Sequence, residues 1–125
     1  MKKLTPVLIV ESIEPCLDFW VDRLGFEVTV KVPEGEHLAF VILARDRVEV
    51  MLQSRASVEK DVPALAKDSY RSALFVEVEN LESIQKALEG VEHVFEERKT
   101  FYGATEICVR DPGGNVVTFA QFSKE

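Results

Sequence analysis

Two glutamates stand among apolar side chains in segments that read as strands: Glu49 in RVEVML and Glu77 in ALFVEV. A carboxylate drawn into apolar surroundings attracts a cation more strongly than it does in water. With its pKa raised there, it can also serve as a general base. Met51 and Phe75 lie two residues from these glutamates, on the same side of their strands. Phe40 and Tyr102 add aromatic surface on which a planar ligand could stack. A turn, RDPGGN at 110–115, then delivers a hydroxyl, Thr118, within VVTFA. Pro112 fixes φ there, and Gly113, Gly114 and Asn115 accept positive φ. Metal-type donors are scattered: Cys16 and Cys108 form no CxxC pair, His37 sits near a turn, and His93 lies in a charged stretch. The cysteines read as small core or cleft residues and the histidines as surface residues.

The elements that must position these residues occur twice. Thr5 to Val10 reads as a strand, and Ser12 as the N-cap of a helix with Ile13, Leu17, Trp20 and Leu24 on its inner face and Gly25 at its end. Strands follow at Phe26 to Val32, His37 to Ala44 and Arg47 to Gln53. Residues 54–71 are polar, contain Pro63 and read as a linker with at most one short helical turn. The order then restarts with a strand at Ala73 to Val78 and a helix capped by Asn80, carrying Leu81, Ile84 and Leu88 and stopped by Gly90. Strands at Val91 to Arg98, Ala104 to Val109 and Val116 to Phe122 complete it. Val10-Glu11-Ser12-Ile13-Glu14 matches Val78-Glu79-Asn80-Leu81-Glu82 at an offset of 68 residues, so an internal duplication of a βαβββ unit is expected. The organisation predicted is one domain over 1–125, with a first module at 1–53, the linker at 54–71 and a second module at 72–125.

Alternation assigns the faces. Leu8, Val10, Val48, Val50, Leu52, Leu74, Val76, Val78, Val117 and Phe119 form an apolar set that should pack under the helices. The opposite face carries Thr5, Val7 and Ile9, then Arg47, Glu49 and Met51, then Ala73, Phe75 and Glu77, and finally Val116, Thr118 and Ala120. Apolar walls with a few polar groups suit a small-molecule cleft. Two other readings stay open. The face could simply be wet, or Glu49 and Glu77 could pair with Arg47 or another arginine while Met51, Phe75 and Phe119 fill a closed interior.

The formal net charge of −7 argues against nucleic acid as a partner, since phosphates require basic neutralisation. No apolar run approaches the roughly 18 residues of a membrane span. In MKKLTPVLIVESIEP the apolar stretch meets Glu11 too soon for a signal peptide, so a cytoplasmic location is expected.

The segments VESIEPCLDFWVDRLGFE and YGATEICVRDPGGNVVTF resemble those of the vicinal oxygen chelate superfamily, which holds glyoxalase I, extradiol dioxygenases, fosfomycin-resistance enzymes and bleomycin-resistance proteins. The resemblance covers nearly the whole chain. It implies an α+β fold of two tandem βαβββ modules, with curled mixed sheets around a cleft, and a homodimer. Metal-dependent members carry a His or Glu on the first and last strand of each module. Carried over by strand register, those positions are Thr5, Glu49, Ala73 and Thr118, and of these Glu49 alone is a competent ligand. The resemblance therefore points to the metal-independent, bleomycin-resistance-like members, with no cofactor and no metal. The ligand expected is a small molecule, aromatic or cationic, held by Thr5, Val7, Phe40, Glu49, Met51, Phe75, Glu77, Tyr102 and Thr118. The alternative is a glyoxalase/lyase- or dioxygenase-type enzyme using Glu49.

Overall fold

The computed structural model describes residues 1–123. The chain divides into two compact units, the second beginning at Ser72. The first contains β1 (Val7–Val10), α1 (Glu14–Leu17) running on into a π-helical turn (Asp18–Arg23), β2 (Glu27–Glu34), β3 (His37–Arg45), β4 (Val48–Ser54), α2 (Arg55–Asp61) and α3 (Pro63–Ala66). The second contains β5 (Ala73–Glu77), α4 (Leu81–Ala87), β6 (His93–Lys99), β7 (Ala104–Arg110) and β8 (Val116–Phe122). Each unit builds a four-stranded mixed sheet, ordered β1-β4-β3-β2 in one and β5-β8-β7-β6 in the other. The first strand of each unit pairs parallel with the last, and the remaining pairs are antiparallel. This is the α+β, twice-built βαβββ architecture expected from the sequence. Among the described residues no helix is long and apolar enough to cross a membrane.

The helix-facing sides of the strands are the expected ones. Leu8, Val10, Val50 and Leu52 are buried in the first unit, and Val117 and Phe119 in the second, with Val48, Leu74, Val76 and Val78 half-buried. In α4, Asn80 Oδ1 accepts the Ser83 N–H at 3.1 Å, and Leu81, Ile84 and Leu88 are buried. Gly90, at φ 84°, takes the left-handed conformation that ends the helix.

Two local expectations change. The first helix is capped at Ile13 with no side-chain bond, rather than by Ser12. Its second half widens to a π turn, closed by the Leu24 N–H donating to the Phe19 carbonyl at 3.1 Å. A π turn carries an extra residue. Phe19 and Trp20 therefore both turn inward, edge-to-face at 5.2 Å, and Cys16 joins them while Leu17 is left half-buried. Residues 54–71, read as a linker, instead hold α2 and α3. Ser54 caps α2 by accepting the Ser57 N–H at 3.1 Å, and Val58 is buried. Arg55 then ties the segment down, donating to Glu11 at 2.6 Å and to the carbonyls of Ala66 and Asp68 at 2.9 and 3.1 Å.

Candidate ligand-binding site

Strand pairing turns the open face of each sheet into rows of side chains. In the first sheet one row runs Val7, Met51, Ile42, Val30, and the next Ile9, Gln53, Phe40, Val32. Val7, Met51 and Phe40 thus share a face, as expected. It is chiefly aliphatic, and Val7, Val30 and Val32 are exposed. Glu49 stands at its edge. Its Oε1 accepts the Thr5 hydroxyl at 3.2 Å and pairs with the Lys3 ammonium at 2.7 Å. Lys3, and not an arginine, is therefore the partner of this carboxylate. The Lys3 contact holds the Glu49 carboxyl below its ordinary range, against a smaller opposing effect of burial. A carboxylate so shifted is a weakened proton acceptor.

In the second sheet one row runs Phe75, Thr118, Cys108, Phe95, and the next Glu77, Ala120, Glu106, Arg98. Phe75, Glu77 and Thr118 share this face as the alternation required. Ala120, assigned to the same face, is fully covered. Phe75 is 55% exposed and its ring lies 6.4 Å from Phe122. Phe122 lies 6.1 Å from Tyr102, and Tyr102 meets Phe101 edge-to-face at 5.2 Å. The result is a run of partly exposed aromatic rings along one side of the sheet.

Glu106, which alternation along β7 could have flagged, carries the polar chemistry of this face. It is completely buried, and each of its oxygens has a donor. Oε1 accepts from Arg98 Nε and Nη2, both at 3.2 Å, and Oε2 accepts the Tyr102 hydroxyl. Arg98 also lies over the Phe95 ring, its Cζ 3.7 Å from the centroid. The hydrogen bond to Glu106, more than burial, raises the Tyr102 phenol above its ordinary range, so it remains a neutral donor at physiological pH. Simple alternation would send Phe95 and Arg98 to opposite faces. Register shifts along β6 bring them together.

Strand pairing also compares the two halves at the positions given by family resemblance, where Thr5 and Glu49 meet in the first unit. Val7 pairs with Met51 and Phe75 with Thr118. Because Val7 and Phe75 are equivalents in the duplication, the counterpart of Thr118 is Met51, and that of Glu49 is Val116. The offset of 68 residues between the first strands shrinks by one before the last strands, and Glu49 falls one pleat away from the equivalent place. With either Glu49 or Met51 beside Thr5 in the first unit, and Ala73 and Thr118 in the second, these positions lack the several His or carboxylate donors of a catalytic divalent site. Among the described residues no three of His, Cys, Asp and Glu are grouped so as to hold a metal. His37 is well exposed beside Glu14, and His93 is half-buried with Nδ1 2.9 Å from the Val91 carbonyl.

The turn before β8 is held from within. Asp111 Oδ1 accepts the Asn115 N–H and Asn115 Oδ1 accepts the Ser72 N–H, both at 2.8 Å. Asp111 and Asn115 are buried, so this turn sets β8, and Thr118 with it, against β5.

Residues 4–119 match the model of the Glyoxalase/Bleomycin resistance protein/Dioxygenase superfamily. Among solved structures, TioX from Micromonospora sp. ML1 is similar with a TM-score of 0.82 and 17% identity, over 98% of this chain and 100% of that one. Lactoylglutathione lyase from Agrobacterium tumefaciens gives 0.75 and 15%, over 97% and 94%. The bleomycin-binding protein from bleomycin-producing Streptomyces verticillus, complexed with copper(II)-bleomycin, gives 0.65 and 21%, over 98% of each chain. These likenesses concern the fold. No curated protein matches the chain.

Proposed function

Because the chain belongs to the Glyoxalase/Bleomycin resistance protein/Dioxygenase superfamily, we propose that it is a metal-independent, bleomycin-resistance-like protein that sequesters a small aromatic or cationic molecule. Such a protein would serve resistance to an antibiotic or another toxic compound, in the cytoplasm and as a homodimer. The observation that carries this reading is the open face of the second sheet. It presents aromatic rings around satisfied polar groups, where a metal-dependent relative would need several His or carboxylate donors. Exposed rings supply stacking area at little entropic cost, and the protein's excess of carboxylates favours a cation in their neighbourhood. The bleomycin-binding structure lends the same ligand class by likeness of fold. The enzyme alternative through Glu49 has less support, since Lys3 and Thr5 already occupy its Oε1.

The test is isothermal titration and thermal shift with bleomycin and with planar aromatic cations such as proflavine, on protein purified without chelator. Saturable binding to metal-free protein is expected. No heat and no shift with any compound would sink the ligand class, and one tightly held divalent ion per chain would overturn metal independence. Light scattering should give about twice the chain mass of 14.1 kDa, and the chain mass itself would remove the dimer.

A further inference from the structure

Glu106 is a carboxylate at a completely buried position. Its neighbours along β7, Ile107, Cys108 and Val109, are buried apolar residues, and the helix-facing core lies on the other side of the strand. A carboxylate taken wholly out of water is costly unless every lone pair is met. This one is met twice, by a guanidinium and a phenol, and both donors are themselves partly open to solvent. Arg98 is 55% exposed and Tyr102 43%. A buried acceptor that reaches outward to two half-exposed groups fixes those groups at the surface. Tyr102 gains the most, because its residue sits in the turn between β6 and β7, where no strand pairing holds it.

We infer that Glu106 is the positioning residue of an aromatic contact surface on the second sheet, where a planar aromatic cation meets ring faces and edges together. It holds the Tyr102 ring beside Phe122, at 44° to it, and Phe122 lies at 60° to Phe75. The inference rests on the small-molecule-binding reading above and adds to it the face, the ligand shape and the residue that orders the site. The positive charge follows from Glu77. It stands on β5 two residues from Phe75, on the same face and exposed, while Glu106 is already matched by Arg98. Since the Tyr102 hydroxyl is spent on Glu106, a ligand meets its ring and not its O–H. Removing the hydroxyl thus deletes nothing that the ligand touches, yet frees the ring to leave that surface.

That consequence separates ordering from apolar area. In proflavine titrations followed by fluorescence, Y102F and E106Q are each expected to weaken binding about tenfold, the value of one charge-assisted hydrogen bond. The E106Q/Y102F double variant should bind no more weakly than the poorer single variant, because both changes break one link. Y102F leaves Glu106 Oε2 without its phenol donor and should melt a few degrees below the wild type, yet remain folded at the titration temperature, so it decides the matter even where E106Q is poorly folded. If the wild type binds and Y102F binds as tightly or more tightly, Glu106 has no positioning role, while the sequestering reading survives. If the two losses add in full, the residues act separately and the inference fails. A wild type that binds none of the aromatic cations removes the reading and the inference together.

Discussion

The two sheets share strand order, pairing directions and a helix over one face, yet their open faces have diverged. The first presents aliphatic side chains and, at its margin, an ion pair between an exposed Lys3 and a half-buried Glu49. The second presents aromatic rings around an ion pair whose carboxylate is fully buried, Arg98 with Glu106. A duplicated fold thus constrains the helix-facing side, where packing must be kept, and leaves the other side free to acquire chemistry. The same contrast appears in what each charge does. Glu49, half-buried, meets an exposed ammonium on the unpaired segment ahead of β1, and water can replace that partner more readily than it can at Glu106. Water does not reach the Glu106 carboxylate.

The sharpest way to break this comparison is to remove one partner from each pair. R98M strands the Glu106 carboxylate and should destabilise the protein by about 2–3 kcal/mol in urea unfolding, somewhat below the usual figure because Arg98 is half-exposed. K3M should leave the unfolding midpoint where it is. Equal effects would mean that the two pairs do the same work. A second contrast concerns affinity: F75A should weaken proflavine binding about tenfold, whereas M51A should change it by less than about threefold. A larger loss from M51A would move the ligand to the first sheet.

Capping should show the halves behaving alike. S54A and N80A each remove a side-chain acceptor from a helix N-terminus and should each cost about 1 kcal/mol. A cost confined to N80A would return residues 54–71 to the status of a linker. The smallest effect is a matter of pH in the first unit. The Leu38 N–H, 2.7 Å from Glu14 Oε2, holds that carboxyl below its ordinary value of 4.5. A depressed carboxylate contributes stability that is present above the ordinary value and lost as the pH falls through the folded one. The melting temperature should therefore drop on acidification below about pH 4.5, and less steeply in E14Q than in the wild type. Parallel profiles would show that the contact has no energetic weight.

Much of this was legible in the letters. The repeat of VESIE as VENLE, the glycines after each helix and the alternation along each strand led to the modules, the α+β class and the helix-facing residues. Asn80 was recognisable as a cap because its position before Leu81, Ile84 and Leu88 leaves it no other helix role. Ser12 misled for the opposite reason. The π turn that follows shifts which residues face inward, and its wider hydrogen bonding has no signature in a periodicity of 3.6. Residues 54–71 looked like a linker because a lone buried Val58 makes no visible stripe.

The sequence by itself determined the duplicated architecture, the family resemblance and which side of each strand faces the helices, since a period of two is a property of each strand alone. Only the tertiary structure decided which residues meet. Pairing register depends on connection lengths and bulges, and it is the pairing of Val7 with Met51 and of Phe75 with Thr118 that makes Met51 the counterpart of Thr118 between the halves. Shifts along β6 likewise brought Arg98 over Phe95 and onto Glu106. Glu106 reads in the sequence as one acidic letter in YGATEICVR. Its burial, and its hold on Tyr102, exist only because three strands and a turn close around it.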